Sequence, residues 1–211
     1  MAVVDSIVDV ANLALDEIGE QSVSNVVNPT TKEEVKVSRQ IDRSRRYVLR
    51  KGAWNFAKRY YTASLQATAP PNTYTDSYKL PGDLIRLLVV GGETEASQIT
   101  NYDIAGRNLY INNEGGSSVN VQYITDVTDL KLWTPDALDA WIYRLALNLA
   151  IPFSKSEEMV KRLQQQYDDV MPGAQSIDGQ ERPPRRIQRS KYRDARFRNS
   201  TPGYIVDFEN P

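Results

Sequence analysis

The chain is predicted to be an α+β protein: N- and C-terminal helices form a helical bundle around a small central antiparallel β-sheet, and an extended arm follows. Three observations carry this. Residues 4–18 and 134–170 place apolar side chains at the three- and four-residue spacing of helix faces. Residues 57–125 are rich in β-branched and aromatic residues and are cut by Gly and Pro turns. Beyond Pro172 little remains that could build a core. The bundle is therefore assigned to residues 1–56 and 132–172, the sheet insert to 57–131 and the C-terminal arm to 173–211.

Val4, Ile7, Val8, Ala11, Ala14, Leu15 and Ile18 share one face of the first helix, with Asp5 and Asp9 at the positive end of its dipole. Gly19 is its stop signal. Pro29 suits the first turn of a second helix, and Thr30 with Glu33 has capping-box spacing. That helix is expected to reach Lys51, with Gly52 ending it and Val37, Ile41 and Val48 facing inward.

In the insert, Arg59 to Leu65, Ser77 to Leu80, Leu84 to Val90, Ile99 to Ile104, Asn108 to Ile111 and Val119 to Tyr123 read as short strands. The string Asn112-Asn-Glu-Gly-Gly-Ser117 is the strongest hairpin signal. A local Asp83–Arg86 ion pair or turn cap is expected after Pro81. Trp54, Phe56, Trp133 and Trp141 read as core side chains. Thr134 and Pro135 open a third helix, which Pro152 interrupts. Ser154 with Glu157 opens a fourth, carrying Met159, Val160, Leu163, Tyr167 and Val170, and Pro172-Gly173 is expected to end it.

Apolar residues make up 40% and charged residues 25% of the 211, as in ordinary globular proteins. No cysteine and no histidine is present, which excludes disulfides, thiolate nucleophiles and cysteine- or histidine-bound metals. Neither phosphate-cradling glycine loop nor serine-elbow motif occurs. Carboxylate pairs such as Asp168/Asp169, Glu157/Glu158 and Asp136/Asp139 have the residue types of a glycosidase, but such acids are common on exposed helices. The expectation is no enzyme, no cofactor and no metal. The apolar stretch Ala137–Phe153 contains Asp139, Arg144 and Asn148, so a membrane span is not expected.

The net charge of −1 hides a strong asymmetry. Residues 32–59 carry +7, residues 60–181 carry −8 and residues 182–198 carry +7. Lys32, Lys36, Arg39, Arg43, Arg46 and Arg50 step by fours and threes, which keeps them within about 40° of one line on a helix. Arg45 lies off that stripe. The stripe can be read as a solvated face, a DNA-channel lining or a surface that packs on the acidic region of a neighbouring copy. The last is favoured over channel lining, because each phosphate contact would slow passing DNA. In the tail, Arg182, Arg185, Arg186, Arg189, Lys191, Arg193, Arg196 and Arg198 form a basic arm, and Tyr204, Ile205 and Phe208 an apolar plug at its end. An arm of that kind suits docking on a neighbour.

Several strings, in order, resemble the tail tubular protein A family, the head-to-tail adaptors of short-tailed bacteriophages. They are Ala11-Asn-Leu-Ala-Leu-Asp-Glu-Ile-Gly-Glu20, Arg50-Lys-Gly-Ala-Trp54-Asn-Phe56, Tyr78-Lys-Leu-Pro81-Gly-Asp83-Leu-Ile-Arg86, Asp103 to Ile111, and Trp133 to Leu163. The likeness covers residues 5–170. It implies a structural protein of the virion neck or tail, assembled in the host cytoplasm. It implies a homo-oligomeric ring, normally of twelve subunits, bound to the portal protein on one side and the tail nozzle protein on the other. DNA would pass through the channel during ejection. The main alternative is a nucleic-acid-binding protein that uses residues 32–59 and 182–198; a tail-associated glycosidase is more remote.

Overall fold

The structure is a computed structural model that describes residues 6–68, 70, 74–92, 97–113 and 116–181. It is an α+β protein. The chain divides into units 1–179 and 180–211, and the second lies almost wholly outside the described residues.

Helix α1 spans Ile7–Glu17. The Ser6 hydroxyl accepts from the Asp9 N–H, and the Asp9 carboxylate accepts from the Ser6 N–H at 2.9 Å, closing a capping box. Gly19 then turns the chain at φ +65°, where an L side chain would be strained. Helix α2 spans Lys32–Lys51, one residue later in register than the sequence suggested. Thr31 caps it, and Glu34 is the reciprocal member of the box in place of Glu33. Pro29 and Thr30 stay outside the helix.

The cause is the Glu34 side chain. It is buried and accepts from the backbone N–H groups of Asn25, Thr30 and Thr31 and from the hydroxyls of Ser24 and Thr30. These donors, the Thr30 and Thr31 amides first, hold its carboxyl down to about 2 from the usual 4.5, although burial opposes them. Ionised Glu34 therefore stabilises the fold. That contribution is complete above pH ~4.5 and is lost as pH falls towards 2. Glu34→Gln is expected to lower the melting temperature at pH 7 and to flatten the acid limb of a stability–pH profile. Melts at successive pH values check this, and parallel acid limbs for the two proteins would refute it.

After α2, Gly52 is required by space: a Cβ there would lie 2.3 Å from the Trp54 ring. The insert contains two three-stranded antiparallel sheets where the sequence suggested one. Strands β1 (Lys58–Ser64), β6 (Ser118–Thr125) and β3 (Leu84–Val90) form the first, in the order β1-β6-β3. Strands β2 (Asp76–Lys79), β5 (Asn108–Ile111) and β4 (Tyr102–Ala105) form the second, in the order β2-β5-β4. Strands β4 and β5 form a tight hairpin, turned by Gly106 at φ +62°. The segment Asn112–Ser117 is not a hairpin loop, because β5 and β6 belong to different sheets. The carbonyl of Gly116 there accepts from the Tyr78 hydroxyl, and Asn113 donates to the same hydroxyl at 3.0 Å.

Helix α3 spans Pro135–Ala150 and α4 spans Glu157–Gln180. Ser156, and not Ser154, accepts from the Met159 N–H at the start of α4, while Ser154 sits at φ +54° in the connection. The expected stop at Pro172-Gly173 is overruled: α4 runs through Pro172, so residues 173–180 are helix and not arm. A proline inside a helix costs about 3 kcal/mol. Burial of Met171 and Ala174 offsets it, as does the Asp178 carboxylate, which accepts from the Asn55 N–H at 2.8 Å.

One apolar core joins all four helices to the base of the first sheet and holds Trp54, Trp133, Trp141, Leu145, Leu149 and Leu163. A second, smaller core lies in the insert around Tyr78, Leu109, Ile111 and Val121. The four aromatics expected in the core are there, with Phe56 partly buried and 5.0 Å from Trp133 by ring centres. Asp83 and Arg86 take different partners from those expected. The Asp83 carboxylate accepts from the Thr125 hydroxyl at 2.6 Å and from Tyr123, whereas Arg86 donates to the Arg50 carbonyl at the end of α2 at 2.9 Å.

Candidate interface surface

Helix α2 carries the surface with the strongest claim to function. Val37, Ile41, Ser44, Val48 and Leu49 are buried along one side, so the helix cannot roll. The opposite side holds the basic stripe. Lys32, Arg39, Arg43, Arg46 and Arg50 are exposed and Lys36 is half-buried.

The stripe divides in two. Arg46 reaches back to the insert and pairs with Asp126 at 2.7 Å, and Arg50 donates to the Ile85 carbonyl at 3.3 Å. Lys36 lies 4.4 Å above the Phe153 ring. Lys32, Arg39 and Arg43 have no partner among the described residues and form a cationic ridge on a rigid support. Part of the complementarity between the basic helix and the acidic region is thus satisfied inside one chain, and Lys32, Arg39 and Arg43 are what remains open.

Arg45, one step off the stripe, is buried. Its guanidinium meets Asp126 at 3.0 Å and Asp42 at 2.7 Å. Its position between the basic and apolar faces of α2 was the available signal. Asp126, 81 residues away, had none. Also unforeseen is the grouping of Tyr47 and Lys51 on α2 with Arg144 on α3 and Tyr167 on α4. Burial, then the nearby Tyr47, push the Tyr167 hydroxyl up to about 12, against the pull of Arg144.

Of the carboxylate pairs, Asp168 adjoins this grouping, and its charge adds to the rise at Tyr167. Asp168 accepts from Gln164 at 2.8 Å on the exposed side of α4. Burial, then Asp136, raise the Asp139 carboxyl above its usual range. No group of three or more acids that could hold a metal occurs among the described residues. No helix among them is long and apolar enough to cross a membrane.

The arm candidates Arg182, Arg185, Arg186, Arg189, Lys191, Arg193, Arg196, Arg198, Tyr204, Ile205 and Phe208 lie outside the described residues. Compared with protein-family models and with curated proteins, the chain matches none.

Proposed function

We propose that this chain is a structural protein of a phage virion: a head-to-tail adaptor that forms a twelve-membered ring between the portal and the tail nozzle, with DNA passing through its channel. In this reading the four helices act as a bundle and the two sheets as its rigid insert. The arm beyond Gln180 reaches the portal or a neighbouring copy. The closing contacts are heterologous, each copy offering one face to the opposite face of the next.

The observation that carries the reading is the open half of the α2 stripe. Three cations stand on a helix whose other face is locked in the core, and nothing among the described residues neutralises them. The acidic balance of residues 60–181 supplies a counterpart on a neighbour. The resemblance quoted above also sits sensibly on the fold. The Ile18-Gly-Glu20 string is the α1 stop, and Trp54 and Phe56 form the hinge from α2 into the first sheet.

Mixing the protein with portal rings and imaging the neck by electron cryomicroscopy tests it. A defined stack with a countable ring is expected, and no stack over a range of concentrations would refute the reading. The triple variant Lys32→Glu/Arg39→Glu/Arg43→Glu is expected to abolish the stack while changing unfolding free energy by less than about 1 kcal/mol, since all three are exposed. The same ridge favours duplex DNA binding as a second reading. That reading predicts binding that weakens steeply with salt, and a flat response at low salt excludes it.

A further inference from the structure

The two sheets have four outer edges, and an open edge invites another strand. Two of the four are covered. Along β3, Arg50 donates to the Ile85 carbonyl at 3.3 Å, and the Ile99 N–H donates to the Val90 carbonyl at 2.9 Å. The β2 edge meets the chain leaving β1 through the Leu65–Tyr78 bridge and the Gln66 N–H, which donates to the Ser77 carbonyl at 2.8 Å. Strands β1 and β4 have no strand beyond them among the described residues.

Backbone parity fixes which groups those two edges present. The Leu65 N–H donates towards the β6 side, to Ser117 at 3.0 Å, while Gln66 donates the other way. The N–H and C=O groups of Tyr60, Thr62 and Ser64 therefore face outward from β1. In β4, Ala105 and Asn108 face each other across the two-residue turn, so the groups of Tyr102 and Ile104 point outward. The β1 edge is basic. Lys58 donates to the Asn55 side chain and Arg59 to the Phe56 and Lys58 carbonyls, and neither meets a carboxylate among the described residues. The β4 edge is acidic. Asp103 accepts from the Ile104 N–H at 2.7 Å and pairs with no cation among the described residues. Both edges also expose apolar side chains: Tyr60 is 69% exposed, and Tyr61 and Ile104 are each 40% exposed.

We infer that the β1 edge of one copy takes the β4 edge of a second copy as an added strand. Antiparallel pairing with Tyr60 opposite Ile104 and Thr62 opposite Tyr102 brings the outward backbone groups of both edges together. It covers Tyr60 with Ile104. It also sets the second copy's Asp103 beside Tyr61 and diagonal to Arg59, within reach of a long side chain. Two β4 edges would instead bring like charges together. Because the paired edges differ, the contact is heterologous and repeats from copy to copy. It deepens the adaptor reading by giving the ring a joint, and rests on that reading only for closure of the ring.

The chain has no cysteine, so disulfide trapping reads the contact directly. Tyr60→Cys and Ile104→Cys are made in separate full-length proteins. Both positions are exposed, so both variants should melt like the parent. Opposed hydrogen-bonded residues have Cα atoms about 5.5 Å apart, within disulfide reach. Oxidised together, in concentrated solution and on portal rings, the two variants should give a mixed disulfide, and neither alone should dimerise. Asp103→Lys in the Ile104→Cys protein should lower the yield about tenfold, and Arg59→Glu in the Tyr60→Cys protein should restore it. Absence of the mixed disulfide overturns the inference; where a defined stack still forms on the portal, the adaptor reading survives. A mixed disulfide without any stack sinks the adaptor reading and leaves the inference standing. Equal dimerisation of either variant alone, or a yield that Asp103→Lys leaves unchanged, also overturns it.

Discussion

Trp141→Ala is expected to lower the unfolding free energy by about 3–5 kcal/mol, the range for truncating a buried large aromatic. That is a large share of the 5–15 kcal/mol typical of a whole domain. Trp141 is 1% exposed and sits where α2, α3 and the Trp133 ring converge, its ring centre 4.9 Å from that of Trp133. Its indole N–H donates to the Ser44 hydroxyl at 2.9 Å, and that hydroxyl donates to the Ile41 carbonyl at 2.8 Å. The serine thus serves the indole as acceptor and the helix as donor. Ser44→Ala alone should cost about 1–3 kcal/mol, because it leaves the buried indole N–H without an acceptor. In Trp141→Phe that dependence disappears, so the Ser44→Ala increment should shrink. Urea melts of the four proteins in the cycle measure the coupling. Additive effects would show that the indole–hydroxyl bond contributes nothing to stability.

The parts of this fold that were legible in the sequence are those decided locally. The α1 face from Ile7 to Ile18 and its glycine stop follow from spacing and from the one residue that tolerates φ +65°. The six-residue stripe on α2 is likewise a consequence of helical period, and five of its members are exposed. The parts misread were settled by distant partners. A capping box at Thr30 and Glu33 and one at Thr31 and Glu34 are equivalent by spacing. Ser24 and Asn25, both donors to Glu34, decide between them from the preceding loop. Pro172 is a helix breaker by its own chemistry, yet Asn55 anchors the helix beyond it, 123 residues away in sequence. The glycine-rich turn after β5 states that the chain reverses but not which strands it joins. Pairing of β6 with β1 and β3 is a long-range outcome.

The candidate interface was half legible for the same reason. Periodicity located the cations but could not say which of them the chain neutralises itself. Arg46 and Arg50 are engaged by residues of the insert, and Lys36 by an aromatic ring in the connection from α3 to α4. Removing those three leaves Lys32, Arg39 and Arg43 as the ridge that a partner would meet. Arg144 was legible only as a charge within an apolar helix. Its stacking on the Tyr47 ring became visible once the helices were in place.

Asp126→Ala should be the most damaging change outside the apolar core, about 3–5 kcal/mol, the usual result of removing one partner from a buried ion pair. Asp126 is 15% exposed and its two oxygens hold Arg45 and Arg46, while the Arg45 side chain is 5% exposed. Without it, Arg45 keeps only Asp42, whose side chain is 63% exposed and therefore well screened. The Arg46 contact contributes little, because that arginine is itself 59% exposed. The loss should resist added salt, since the pair lies inside the protein and counter-ions cannot reach it. Arg45→Met combined with Asp126→Leu should recover much of the stability, because no unpaired charge is then buried. Recovery in the double variant would assign the cost to the stranded guanidinium. A double variant as unstable as Asp126→Ala would assign it to the backbone at the end of β6, where the Asp126 N–H donates to the Asp83 carbonyl at 3.0 Å. On the proposed adaptor reading, the two outcomes matter for assembly in different ways. If the ion pair is what holds α2 against the insert, its loss lets the cationic ridge move relative to the sheets, and portal stacking should fail before the protein unfolds.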